Sequence, residues 1–408
     1  AGEAGGEDEY VAFEAIAQLR ERGREGLDVL LALHDAVRSR KDVDEAYVAR
    51  LRTAIDVVGA QKDAHASRLF WHTDLQSAKA EARETGKPIL SLRLLGNLDE
   101  DLSCANSRFF RTALYTNRDV GALLRERFVL HWKSVRPVPV ITIDMGDGRT
   151  ICRTVTGNSI HYVLTPDGRP VDAIPGLYGP KAFLRALAQG AAIAHDVERT
   201  PAEHRETFLA SYHAVLRDNV EAAWAEDLAM IGRLPEAPER DAQTGTPNAA
   251  EAAPVAVGKF AAEAPLVRAV MPAASLRDAT DDDAWAAIAG LHADDVRLDE
   301  KSIGLMREKV GVDARIAARV TQSKGEIEDP MLRMVRRFEG SMAVDTVRNE
   351  YDFHRTLHAW FATGEAGRDV EALNERVYAE LFLTPSSDPW LGLVPDATYV
   401  ALDASGLR

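Results

Sequence analysis

The chain has 408 residues, of which 46% are apolar and 28% charged, and a net charge of −15. That length exceeds one compact module, so two or three units with ample apolar core are expected. The acidic balance argues against a nucleic-acid surface, and the two cysteines exclude a disulfide scaffold or a four-cysteine zinc site.

The basic residues divide into 39 Arg and 10 Lys, a skew that with abundant Ala reflects a GC-rich bacterial genome more readily than arginine chemistry. No apolar run is long enough to span a membrane as a helix. The sequence starts at Ala1 in a polar stretch, Ala-Gly-Glu-Ala-Gly-Gly-Glu-Asp-Glu. Such a start fits the mature end of a periplasmic or secreted protein after signal-peptide removal, or else an arbitrary boundary in a cytoplasmic one.

Residues 1–65 read as a helical hairpin. Phe13, Ile16, Ala17 and Arg20 fall at helical spacing, as do Val29, Leu30, Leu33 and Val37, with a break at Arg22-Gly23-Arg24. From 66 to 190, short apolar runs alternate with helical patterns and Gly/Pro turns, the signature of an α/β unit. Strands are expected at 89–94, 128–132 and 160–164, the last closed by Thr165-Pro166-Asp167-Gly168. A hairpin is expected from 140–144 and 150–156 around Asp147-Gly148.

After residue 181 the pattern turns helical. Thr200-Pro201-Ala202-Glu203 reads as a capping box for a helix with Phe208, Tyr212 and Val215 on one side, within an extension over 191–233. Prolines among Ala, Glu, Gln and Thr mark 234–258 as a linker. A helical region over 259–408 follows. It contains a helix capped at Thr280 to Asp283 bearing Trp285 and Ile288, and long helices near 330–362 and 366–382. Beyond Pro385 the tail is irregular, with Trp390, Leu391 and Leu393 as anchors.

Residues 71–188, just under a third of the chain, resemble the thioredoxin-like domain of the spermatogenesis-associated proteins. In that family a Lys-Pro strand leads to C-x-x-C; here Lys87-Pro88-Ile89-Leu90 leads to Cys104-Ala105-Asn106-Ser107. Tyr115, Asp119-Val120 and Phe128-Val129 stand at the family's downstream positions. Gly157-Asn158-Ser159 takes the place of its Gly-Trp-Pro before an apolar strand. The resemblance implies an α/β thioredoxin-like core with Cys104 at the attacking position.

Three departures carry chemistry. Ser107 replaces the resolving cysteine, so a mixed disulfide formed at Cys104 needs an external thiol for release. Ser159 replaces the proline that is normally cis, which disfavours peptide exchange and opens Cys104 to soft metals. The stretch before Cys104 is longer than the family's, through Gly96 to Asp101, and its acidic side chains oppose the helix terminus and Arg108 in setting the thiol pKa. Cys152 is a distant resolving thiol, a disulfide partner, or a small buried apolar residue. His161 lies on a strand two positions past Ser159, where it either approaches Cys104 or packs as an ordinary strand residue.

A second constellation lies on a helix. Val344, Val347, Tyr351, His354, His358 and Phe361 form an apolar stripe carrying two histidines one turn apart. With Glu350 one turn earlier, His354 and His358 make a candidate Zn, Cu or Fe site; the alternative is a pair of satisfied core histidines.

The expected architecture is a thioredoxin-like α/β core flanked by an N-terminal helical hairpin and a C-terminal mainly α-helical domain. Three functions follow: monothiol redox or soft-metal chemistry through Cys104, Ser107 and Ser159; a non-enzymatic scaffold that keeps the fold; or a metalloprotein centred on the His pair. A protein partner or a thiol substrate fits the first two.

Overall fold

The computed structural model describes residues 3–154, 157–232, 282–310, 330–389 and 391. Helices α1 (Glu3–Glu21), α2 (Arg24–Arg38), α3 (Glu45–Gly59) and the single turn α4 (Ala64–Ser67) come first. They gather around Leu27, Leu30, Leu31, Leu51, Ile55 and Val58, a small core of their own. The segment therefore holds three helices and a turn rather than one hairpin. Its buried stripe also runs at a different phase from the expected one. Leu30 and Val37 point inward, whereas Phe13, Val29 and Leu33 are exposed, and Leu27, Leu31 and His34 take the inner face.

Helix α5 (Leu75–Thr85) is capped by the Asp74 side chain and ends at Gly86, whose φ of 69° suits a left-handed cap. The chain then enters β1 (Ile89–Leu95), buried along its whole length. In Ile89-Leu90-Ser91-Leu92-Arg93-Leu94 the leucines alternate with Ser91 and Arg93, yet both faces are covered, and the buried Arg93 donates to Ser91 Oγ and pairs with Glu371. Helix α6 (Ala105–Phe109) continues through the π-helical turn Phe110–Leu114, and α7 (Arg118–Arg127) is capped by Asn117. The strands that follow are β2 (Val129–Arg136), β3 (Val140–Asp144), β4 (Thr150–Thr154), β5 (Ser159–Leu164) and β6 (Pro170–Pro175).

Four of these strands make one mixed sheet, in the order β2-β1-β5-β6. β1 pairs parallel with β2 and antiparallel with β5, and β5 pairs antiparallel with β6. β3 and β4 form a separate two-stranded hairpin inserted between β2 and β5. Strand β6 is the one sheet element without a counterpart in the sequence reading. It begins and ends in proline, which an edge strand tolerates because its outer N–H groups need no ladder partner.

Helix α8 (Pro180–Arg199) follows β6, and α9 (Arg205–Met230) follows α8. The expected capping box does not start α9. Thr200 instead terminates α8, with its N–H bonded to Asp196 and Val197 carbonyls, and α9 begins only at Arg205. The phase shifts with it: Leu209 and His213 are buried, while Val215 is 59% exposed. The C-terminal region supplies α10 (Asp282–Leu291), α11 (Glu300–Val310) and α12 (Pro330–Arg348). It continues through the π-helical turn Asn349–His354, α13 (Arg355–Thr363), α14 (Val370–Arg376) and a last π-helical turn Val377–Leu381. The expected linker 234–258, the cap residues Thr280 and Asp281, and Trp390 and Leu393 lie outside the described residues.

The C-terminal helices share one continuous core with the sheet. Leu90, Leu92, Leu94, Val163 and Ile174 meet Val347, Leu357, Phe361, Val377 and Leu381 in that cluster. Full burial of each such side chain contributes about 1.5–3 kcal/mol. Helix α13 lies along α9 and reaches β6, as does the π turn at 349–354. No helix among the described residues is long and apolar enough to cross a membrane.

Candidate functional site

The two sequence-derived sites have opposite fates in the fold. Cys104 stands at the start of α6, at the C-terminal end of β1, with its N–H bonded to the Leu95 carbonyl at 3.1 Å. Its side chain is fully buried. Ser107 sits one turn on, also buried, and its hydroxyl donates to the Cys104 carbonyl at 2.8 Å while its oxygen accepts from Ser103 Oγ at 2.7 Å. Ser159 starts β5 opposite Leu94, and its buried hydroxyl has no hydrogen-bond partner. Nearby, Tyr115 and His161 share a 2.6 Å hydrogen bond between OH and Nε2. Burial holds His161 neutral, with its pKa pushed down to about 3.

The C-terminal region closes this end of the sheet. Tyr378 donates to the Asn158 carbonyl at 3.0 Å, and Asn158 Nδ2 donates to Thr384 Oγ1 at 2.9 Å. Arg136 at the end of β2 grips the Thr384, Pro385 and Asp388 carbonyls. Burial raises Tyr115 and Tyr378 well above the usual phenol pKa, and charge at Cys104 would raise both further. On the opposite side Arg111 is itself buried. It pins the long loop before Cys104 by donating to the Leu98 and Glu100 carbonyls and to Ser103 Oγ. The acidic side chains of that loop, Asp99, Glu100 and Asp101, turn to solvent. Cys152 is exposed on β4, not buried, and the two cysteines form no disulfide. Thr142 faces it across the hairpin, and alternation puts every second residue of such a ribbon on an uncovered face.

The histidine helix meets partners that no local motif joins to it. Asp172 on β6, His213 on α9 and His358 on α13 bring one ligand atom each within 4.8 Å of one another. All three are buried. Such a group can hold a metal ion. His213 Nε2 donates to the Val171 carbonyl at 2.9 Å, which leaves Nδ1 as the lone-pair atom facing inward, where it accepts from His358 Nδ1 at 2.9 Å. A carbonyl that fixes the tautomer of an imidazole in this way is the usual support for a metal-binding histidine. Phe361 stacks on the His213 ring, with centroids 4.4 Å apart, and holds its plane.

His354 belongs to the same group but plays another part. Its ring lies 4.1 Å from that of His358, and its Nε2 is 3.4 Å from Asp172 Oδ1. The Asp172 carboxylate also accepts the Ala173 N–H at 2.8 Å. Burial by itself would raise the Asp172 pKa. The His354 hydrogen bond and charge, with smaller contributions from His213 and His358, outweigh it and hold the carboxyl at about 2. Burial lowers the pKa of His213, and it lowers that of His358 further, with His354 adding to the effect. At neutral pH the cluster therefore offers a carboxylate and two neutral imidazoles, the protonation states that ligate. Glu350 stands apart. Burial raises it, and the charges it faces are those of His354, Arg185, His292 and Asp295. On the same π-helical turn, Tyr351 donates to Asp227, which also binds His292 Nε2 at 2.6 Å.

Sequence reasoning thus found His354 and His358 and missed Asp172 and His213. A faint signal existed for each. Thr165-Pro166-Asp167-Gly168 announces a hairpin, and the strand after it carries Asp172 amid apolar neighbours. Leu209 and His213 are spaced one turn apart, a phase that differs from the one chosen for α9. No protein-family model matches the chain, and no curated protein or solved structure shows significant similarity to it.

Proposed function

We propose that the protein is a metal-binding protein built on a thioredoxin-like core whose thiol position has been closed. The sheet order supports the thioredoxin-like reading: a central β1 parallel to one neighbour and antiparallel to the other, with Cys104 opening the helix after β1 and Ser159 opening β5. Disulfide exchange requires a thiolate that a second sulfur can reach. Cys104 is fully buried in the folded chain, which weighs against the redox reading.

The observation that carries the metal reading is the convergence of Asp172, His213 and His358 in a buried place, with His213 oriented by Val171 and Asp172 by His354. A fully buried carboxylate beside two neutral imidazoles is a donor set that suits a divalent cation. Two imidazoles and a carboxylate with no sulfur suit zinc or ferrous iron, whereas cuprous copper prefers sulfur donors.

Elemental analysis of protein purified without chelators tests this. The expected result is about one equivalent of metal per chain, lost in Asp172→Asn and His358→Gln and kept in His195→Gln, whose imidazole is exposed. Failure of the unaltered chain to hold zinc or iron, both as purified and after reconstitution, sinks the reading.

A further inference from the structure

Strand β6 ends at Pro175, and the chain turns through Gly176 to Gly179 before α8 begins. Both glycines permit close approach. A Cβ on Gly176, where φ is 75°, would stand 2.5 Å from Asn349 Nδ2, and one on Gly179 would stand 2.5 Å from the Asp295 carbonyl. The loop is therefore pressed against the π-helical turn. Asn349 Nδ2 donates to the Leu177 carbonyl at 2.8 Å, and the Gly179 N–H donates to Thr346 Oγ1 at 2.8 Å.

This arrangement places Tyr178 edge-on to His354, with ring centroids 6.4 Å apart. The Tyr178 side chain is 1% exposed, yet its hydroxyl has no hydrogen-bond partner. The charged groups that face it are Glu350 and Asp172. Glu350, only partly buried, in turn faces the Arg185–Asp295 ion pair at the surface. A buried hydroxyl without a partner bears the full cost of its desolvation, and native proteins satisfy such groups with protein or an ordered small molecule.

The metal cluster has the complementary deficit. Three protein ligands leave one place open on a four-coordinate cation, and sites of that kind hold water or an exogenous ligand there. His354 is already committed to Asp172 and lies outside the mutual ligand distance of the triad. We propose that the Asp172–His213–His358 centre keeps an exchangeable ligand, water or a small monoanion, to which the Tyr178 hydroxyl donates its hydrogen bond. The inference rests on the metal reading and makes the centre an open one rather than a structural clamp.

Cobalt(II) is the probe, because its visible spectrum reports coordination without any knowledge of a reaction. The full chain, Tyr178→Phe and His195→Gln, an exposed control, are each loaded with cobalt and titrated with azide. The expected result is a saturable azide-dependent shift of the visible bands in the unaltered chain and in His195→Gln. In Tyr178→Phe, azide affinity falls about tenfold, as loss of one hydrogen bond to a charged ligand predicts. A cobalt spectrum indifferent to azide in the unaltered chain overturns the open site but leaves the metal reading standing, with His354 completing a closed sphere. Azide binding equal in the unaltered chain and Tyr178→Phe removes Tyr178 from the proposal. Failure to bind cobalt at all ends both readings. Tyr178→Phe deletes only an oxygen that bonds nothing, so folding is not at issue, and the azide titration of the unaltered chain decides the main point in any case.

Discussion

The end of the sheet at Cys104 and its edge at β6 treat reactive side chains in opposite ways. At Cys104 a potential nucleophile occupies a position that the topology makes available but is fully buried, and Tyr378, Thr384 and an Arg136 clamp close that end of the sheet. At β6 three residues from separate elements that could together hold a metal ion converge, and two of them, His213 and Asp172, are each oriented by a further contact. The first is a site by position alone, while the second is a site by assembly. A residue in the right place on the right strand is chemically idle once the rest of the fold has been built over it. Capability is better judged from what the neighbouring side chains are committed to.

The largest test of this contrast is removal of metal. A site filled at a hundred times its dissociation constant adds about 2.7 kcal/mol to the folded state. A chelator should therefore lower stability by about 3 kcal/mol and the unfolding temperature with it, as calorimetry would show. Asp172→Asn should lose that response, whereas Cys104→Ala should keep it. Equal chelator sensitivity in all three proteins would abolish the distinction between the two centres.

The next test is acid. His161, beside the thiol, titrates near 3 in the folded chain because of burial, against about 6.5 when unfolded. Between those values the unfolded chain binds the extra proton, so stability falls as pH drops through 6.5 and recovers as pH rises. At 1.4 kcal/mol per unit, His161 alone contributes a loss of about 2 kcal/mol at pH 5; His131 and His65, which burial also depresses, add their own, so His161→Gln should remove only its share of the slope. Denaturant midpoints at pH 7 and pH 5 give the measurement. An unchanged slope in His161→Gln would show that the thiol end is wetter than its packing indicates.

The smallest effect concerns the seal itself. Tyr378→Phe removes one hydrogen bond, to the Asn158 carbonyl, at a cost of about 1 kcal/mol. Maleimide should label Cys152 at once in the native protein and Cys104 only after local opening. Tyr378→Phe should then speed the Cys104 reaction about fivefold if that hydrogen bond holds the cover down. Prompt labelling of both cysteines in the unaltered chain would break the comparison at its first term.

Much of the sheet was legible because its strands carry local signals. Ile89 to Leu94 sets Leu90, Leu92 and Leu94 at every second position after Lys-Pro, and Asp147-Gly148 marks the tip of the β3–β4 hairpin. Strand β6 was not legible, since prolines at both ends argue against a strand unless its edge position is known. The capping box at Thr200 misled because the same residues serve the end of α8. Within the metal cluster, the spacing of His354 and His358 is a property of one helix and could be read. Their meeting with Asp172 and His213 spans 182 and 145 residues, and no periodicity encodes a contact at that range.

The clamp on the thiol end also has a history in time. Arg136 and Asp388 are separated by 252 residues. At ribosomal speeds of about 5–20 residues per second, the last stretch of chain emerges roughly 10–50 s after the strand it closes. During that interval β1, β2 and β5 are already available to pair, while the bonds from Arg136 and Asn158 to Thr384 and Asp388 wait for the tail. Closing this end of the sheet is therefore among the last events in the making of each copy.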